Sequence, residues 1–106
     1  MLNVLYVDDE PINLELFEIS YQRDFNILKS SSGKQALTII NEQQVDVVVT
    51  DLKMPVMNGI DFIKKVKEIN KNMNCILLTG YYENNIITFN NIAIFQFNYC
   101  PNNSNT

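Results

Sequence analysis

The sequence of 106 residues has no histidine and no tryptophan, and only two cysteines, three glycines and three prolines. Without histidine the chain cannot perform Ser-His or Cys-His catalysis, bind a metal through imidazole, or donate a phosphoryl group from phosphohistidine. Two cysteines, Cys75 and Cys100, are too few for a disulfide framework, and they predict reduced thiols in a cytoplasmic protein.

Positive charge and long apolar runs are scarce as well. Eight basic against twelve acidic residues give a net charge of −4, which argues against nucleic-acid binding. Apolar runs such as 47–49 and 75–78 fall far short of the roughly 20 residues that span a bilayer. The N-terminus lacks the basic region of a signal peptide. The length and the hydrophobic content of 46% instead predict one domain with its own core.

Short apolar runs alternate with amphipathic stretches along the chain. The runs predict strands at 2–7, 25–28, 45–50, 75–79 and 92–97, and helical spacing of apolar residues predicts helices at 11–22, 33–43 and 58–69, with weak helical character at 81–91. Strand–helix alternation predicts an α/β fold whose mostly parallel sheet is covered on both faces. Residues 1–101 are predicted to form the domain, and 102–106 a disordered tail.

Acidic residues follow two of the predicted strands, at the edge of the sheet where the active crevice of such folds lies. Asp8 and Asp9 follow the first strand, Asp51 follows the third, and Thr79 ends the fourth. Three carboxylates in one crevice repel each other, and a divalent cation is the simplest means of keeping them ionised together. Oxygen ligands without histidine or cysteine favour Mg²⁺ over zinc.

For any of these acids alone, capping of the next helix is an alternative role. It fits Asp9, which lies two residues before Pro11, a residue favoured at the first position of a helix. It does not fit Asp51, which lies several residues before the next predicted helix.

The ordered set of segments resembles the receiver domain of two-component response regulators. The matching segments are Val7–Glu10, Asp51–Pro55 with Asn58–Gly59, and Leu78–Gly80. The resemblance implies a flavodoxin-like, doubly wound, five-stranded parallel sheet in the order 2-1-3-4-5. It also implies that the domain accepts a phosphoryl group from a sensor histidine kinase or a histidine phosphotransfer protein. The phosphorylated domain would then signal through an unidentified output partner.

Residue by residue, the resemblance implies that Asp51 is the phosphoacceptor in a Mg²⁺-dependent reaction. Asp9 would be a direct Mg²⁺ ligand, Asp8 a ligand acting largely through water, and the backbone carbonyl of Lys53 the remaining protein ligand. A carboxylate can act as the nucleophile on phosphorus and hold the group as an acyl phosphate, provided that the negative charges are neutralised.

The resemblance also implies a switch. Thr79 would contact a phosphoryl oxygen, and Phe97 is the aromatic residue of the fifth strand that would respond by moving inward. Residues 81–98 would then form the output face. From the sequence alone, Phe97 is equally well interpreted as ordinary sheet packing.

Two features depart from the family pattern. Cys100 stands before Pro101 where the family has a lysine, and a thiol is never cationic. We therefore expect a stronger dependence on Mg²⁺ and weaker switching. Only residues 102–106 follow, so the last helix is expected to be absent or truncated, leaving apolar sheet surface bare. The chain would then form a homodimer over that face, or be a fragment or altered version of a longer protein.

Three functions compete on these observations. The first is the phosphoacceptor, which is not an enzyme beyond Mg²⁺-dependent self-phosphorylation from small phosphodonors and slow self-dephosphorylation. The second is a degenerate receiver-like interaction module with impaired switching, favoured by Cys100 and by the expected absence of the last helix. The third is a small Mg²⁺-dependent phosphatase, disfavoured because such enzymes usually carry an acid where this chain has Lys53. The phosphoacceptor is preferred, since several residues support it and one opposes it.

Overall fold

Five parallel strands and three helices make up the part of the chain that the computed structural model describes, namely residues 1–79 and 92–96, with Thr79 and the last strand described by their backbone alone. In chain order the elements are β1 (Asn3–Val7), α1 (Pro11–Tyr21), β2 (Asn26–Ser30), α2 (Gly33–Glu42), β3 (Val47–Asp51), α3 (Gly59–Ile69), β4 (Asn74–Thr79) and β5 (Ile92–Gln96). None of the helices in residues 1–79 has the length and apolar composition of a membrane-spanning segment.

The strands pair in the order β2-β1-β3-β4-β5, and every neighbouring pair is parallel. This confirms the flavodoxin-like order. The strand order reverses between β1 and β3, so the residues that follow these two strands meet at the same edge of the sheet. Val7 lies opposite Thr50 in the register, which brings Asp8 and Asp51 into the same region.

Alternate residues of β1 and β3 enter two separate cores, because successive side chains of a strand point to opposite faces of the sheet. On one face Leu5 and Val7 pack with residues of α2 and α3, including Phe62 and Val66. On the other face Val4, Tyr6 and Val49 form a smaller core. Its partly buried partners include Leu14 and Phe17 of α1, Ile27 of β2, and Phe25 just before β2.

The element boundaries agree with the sequence to within two residues, and the differences have local causes. β2 continues to Ser30 beyond the predicted end because Lys29 and Ser30 pair with β1, and the Asp8 amide donates to the Ser30 carbonyl at 3.1 Å. β3 begins at Val47 rather than at 45. The preceding residue, Asp46, accepts a hydrogen bond from the Asn3 backbone amide through its side chain at 2.7 Å. The predicted weak helix at 81–91, the tail at 102–106 and any last helix lie outside the described residues.

The capping role considered for Asp9 is not observed. The residue before α1 is Glu10, in extended conformation, and its side chain makes no capping hydrogen bond. By contrast, Ser32 and Asn58 cap α2 and α3 through their side chains. Asp9 is therefore not used to begin α1.

Candidate functional site

The carboxylates of Asp8, Asp9 and Asp51 lie together at the carboxyl edge of β1 and β3. One oxygen from each lies within 4.8 Å of the other two. Asp8 is buried, while Asp9 and Asp51 are half-buried and accessible from solvent. This set of oxygen donors fits a hard dication such as Mg²⁺, which binds carboxylates and retains several water ligands.

Asp51 is held at the point where the chain turns away from the sheet. The Leu52 amide donates to the Leu78 carbonyl at 2.9 Å, and the Gly59 amide donates to the Leu52 carbonyl at 2.8 Å. Burial, followed by the negative charge of Asp8, raises the pKa of Asp51 to about 6, although the backbone N–H groups of Leu52 and Lys53 oppose this rise. A bound cation would favour the ionised form, which is the form that can act as a nucleophile.

Asp8 is the most enclosed of the three acids, and three donors fix its carboxylate. The Tyr6 hydroxyl donates to Oδ2 at 2.7 Å, the Asn13 side-chain amide donates to Oδ2 at 3.2 Å, and the Glu10 backbone amide donates to Oδ1 at 2.9 Å. An ionised carboxylate offers about four acceptor sites. Asp8 therefore keeps about one further acceptor site, which is enough for one water molecule.

Sequence reasoning missed Tyr6 and Asn13. A signal was present for Tyr6: it is the only residue with a polar group in the strand segment 4–7, and it lies two positions before Asp8, on the same side of the chain. Asn13 carried no comparable signal, because an exposed asparagine in the first turn of a helix is common and its contact with Asp8 depends on where α1 packs.

The loop between β3 and α3 contains a tight turn. The Met57 amide donates to the Pro55 carbonyl at 2.7 Å, and the residue between them, Val56, has a φ of 71°. A β-branched residue in this left-handed region is strained. The side chain of Met54 is buried in the core and anchors the loop to it, whereas Val56 is fully exposed.

The remaining predicted residues are described only in part. The backbone places Thr79 directly after Leu78, which pairs with Asp51, and opposite Gln96 of β5. The hydroxyl of Thr79, and Phe97 and Cys100 altogether, lie outside the described residues, as does most of the predicted output face at 81–98. Lys53 follows Asp51 closely in the loop, and its side chain is exposed.

Comparison with known proteins gives a consistent result. The family model of the response regulator receiver domain matches residues 4–96. The sporulation initiation phosphotransferase F of Bacillus subtilis is 34% identical over 85 residues, covering 79% of this chain and 68% of that protein. The structure of the response regulator protein TrrA from Thermotoga maritima in complex with Mg²⁺-BeF superimposes with a TM-score of 0.73 at 32% identity, covering 76% of this chain and 71% of that one.

Other relatives are longer than this chain. The probable transcriptional regulatory protein TcrX of Mycobacterium tuberculosis is 34% identical over 80 residues, and the match covers 74% of this chain but 34% of that protein. The match to TcrX therefore covers about a third of that protein. The chain belongs to the response regulator receiver domain family of two-component signalling.

Proposed function

We propose that Asp51 accepts a phosphoryl group from a histidine kinase or a histidine phosphotransfer protein in a Mg²⁺-dependent reaction, and that the domain then signals through a partner protein. The observation that supports this most directly is the approach of the Asp8, Asp9 and Asp51 carboxylates to within 4.8 Å of one another at the carboxyl edge of the sheet. The names of two relatives, a phosphotransferase and a transcriptional regulator, are consistent with such partners.

The residues present fit a Mg²⁺ site. Asp9 and Asp51 would bind the ion directly, together with the backbone carbonyl of Lys53, and Asp8 would act through water because most of its acceptor sites are already used. When bound, Mg²⁺ supplies the positive charge that lets an anionic nucleophile approach an anionic phosphoryl group.

The chain's own part is to hold the nucleophile. One oxygen of Asp51 forms a bond to phosphorus as the bond from phosphorus to the partner's histidine nitrogen breaks, and that nitrogen keeps the electron pair. Asp51 is positioned for this attack as the last residue of β3, where the Leu52 amide donates to the Leu78 carbonyl and holds the chain against β4. Thr79 is proposed to contact the transferred group, and Phe97 to respond to it.

The test is phosphorylation by acetyl phosphate in the presence of Mg²⁺, followed by mass spectrometry. We expect a mass increase of about 80 Da, for one phosphoryl group, that disappears when Mg²⁺ is chelated. The Asp51→Asn variant should give no adduct, whereas Asp24→Asn, which changes an exposed acid in the α1–β2 turn, should behave as the unaltered chain. An adduct that persists in Asp51→Asn would place the phosphoryl group elsewhere.

A second candidate function rests on Cys100, the residue that the resemblance aligns with the family lysine. In that case the chain binds its partners as a degenerate receiver-like module without effective switching. A folded, unaltered chain that forms no adduct with acetyl phosphate or with a phosphorylated histidine donor would favour this candidate over phosphoacceptance.

A further inference from the structure

Tyr6 occupies an unusual position for a residue with a polar group. Tyr6 is 5% exposed near the carboxyl end of β1, and its hydroxyl donates to Asp8 Oδ2 at 2.7 Å. Its ring stacks on Phe17 of α1, with ring centroids 4.1 Å apart and planes inclined by 9°. The hydroxyl is thus directed at one acid of the cluster while the ring is fixed by a helix.

The Asn13 side chain completes the arrangement from α1. Its amide donates to the same oxygen of Asp8 at 3.2 Å. Two side chains from two elements therefore hold one oxygen of Asp8, while the Glu10 backbone amide holds the other. Because Asp8 is 2% exposed, solvent offers little to replace these donors.

We propose that Tyr6 is a positioning residue of the phosphorylation site, whose hydroxyl, assisted by Asn13, fixes the Asp8 carboxylate in the orientation that supports a bound Mg²⁺ ion through water. This rests on the proposed function of the acidic cluster. Neutral donors of this kind orient a carboxylate and reduce its repulsion of Asp9 and Asp51 without adding a competing positive charge.

The proton of the Tyr6 hydroxyl is firmly held. Burial, the hydrogen bond to Asp8 and the negative charges of Asp8 and Asp51 all raise the pKa of Tyr6 far above its ordinary value. The geometry agrees with this, since the hydroxyl donates to Asp8 Oδ2 at 2.7 Å. The stacking on Phe17 also ties the orientation of Asp8 to the position of α1, since Asn13 and Phe17 both belong to that helix.

The test uses the full chain and the variant Tyr6→Phe, which removes the hydroxyl and keeps the ring. Binding of Mg²⁺ alone is measured by calorimetric titration, and the Mg²⁺ dependence of acetyl phosphate labelling is measured separately. We expect Tyr6→Phe to weaken Mg²⁺ binding about tenfold, the lower end of the range for residues that orient metal ligands. The Mg²⁺ concentration for half-maximal labelling should rise by a similar factor.

Tyr21→Phe is the matched control. Tyr21 also contacts Phe17, with ring centroids 4.8 Å apart, but it is exposed at the end of α1. The Tyr21→Phe variant should bind Mg²⁺ with the same affinity as the unaltered chain. Asn13→Ala, an exposed change that leaves β1 intact, should weaken Mg²⁺ binding in the same direction, and it keeps the proposal testable if Tyr6→Phe fails to fold.

The outcomes separate the two proposals. Mg²⁺ affinity that changes by less than twofold in both Tyr6→Phe and Asn13→Ala overturns the positioning role, even if these variants lose stability. An unaltered chain that binds Mg²⁺ but is not labelled on Asp51 contradicts the proposed function, while the effect of Tyr6→Phe on Mg²⁺ binding still decides the positioning role.

Discussion

At the scale of single residues, the acidic cluster opposes the stability of the metal-free fold. Asp51 has its pKa raised from an ordinary 3.8 to about 6, chiefly by burial and then by Asp8. Between about pH 4 and pH 6 the folded chain therefore binds more protons at Asp51 than the unfolded chain does. The contribution of Asp51 to the free energy of unfolding therefore falls as the pH rises through this window, and it stays low above it.

The Asp51→Asn substitution removes this cost. In the presence of a chelator above pH 6, we expect the variant to be more stable than the unaltered chain by about 1 kcal/mol, a value discounted because the carboxylate is partly solvated. Below about pH 4 the gain should vanish, since Asp51 is then protonated in both states. Urea unfolding at several pH values measures the difference.

Two controls accompany this measurement. Asp24→Asn, an exposed acid, should show no such pH-dependent gain, and Mg²⁺ should stabilise the unaltered chain above pH 6 more than it stabilises Asp51→Asn. A metal-free Asp51→Asn variant that is less stable than the unaltered chain at pH 7.5 would show that the Asp51 carboxylate is not under electrostatic strain.

At the scale of elements, the loop from β3 to α3 ends at Gly59, the first residue of α3. A Cβ atom added to Gly59 would overlap the Asp51 carbonyl oxygen and lie 3.0 Å from the Leu52 Cα, both of which are backbone atoms. At Gly33, the first residue of α2, an added Cβ would lie 2.8 Å from the sulfur of Met57, which is the end of a flexible side chain. Similar substitutions should therefore have unequal effects.

We expect Gly59→Ala to destabilise the fold by about 2–3 kcal/mol, because the backbone around Asp51 must move to accept the new atom. Gly33→Ala should change the stability by less than about 1 kcal/mol, since neither glycine has a positive φ and Met57 can adjust. Thermal or urea unfolding compares the two, and acetyl phosphate labelling of Gly59→Ala should slow as Asp51 shifts. Equal losses in both variants would contradict the backbone overlap at Gly59.

The same elements show what the sequence can and cannot predict. The β-branched run in β3 and the helical spacing of apolar residues in α2 and α3 are local signals, so these elements were predicted within two residues. The extension of β2 to Ser30 was not predictable from its own polar residues, because pairing with β1 determines it. Likewise the acids at strand ends were identifiable, whereas the contact of Asn13 with Asp8 depends on how α1 packs.

At the scale of the whole molecule, the two faces of the sheet are unequally covered in the described part of the chain. The α2–α3 face is filled by buried apolar side chains. Beside α1 there is instead an open groove of about 880 Å³, lined mostly by apolar residues and reaching Asp8 and Asp51 at one end. On α1 itself Ile12, Leu16 and Ile19 are 66%, 55% and 62% exposed. Because both the exposed stripe of α1 and the groove are apolar, a partner that covers both would bury apolar surface.

We expect a second copy of the chain to cover this face, with the exposed stripe of α1 from each copy directed to the groove of the other, as a two-fold interface allows. A stable interface buries roughly 800 Å² per partner, so a dimer here has to cover the groove and the stripe together. Because each copy carries a net charge of −4, the two repel, and added salt should strengthen association.

Light scattering at increasing protein concentration in low and high salt measures this association, and an apolar fluorescent dye reports the uncovered face. Leu16→Glu, which places a charge in the groove wall, should weaken self-association at least about tenfold. Ile69→Glu is the matched control, because Ile69 is similarly exposed but lies on α3, on the opposite face. A chain that stays monomeric at every salt concentration and binds no dye would mean that this face is already covered within one molecule.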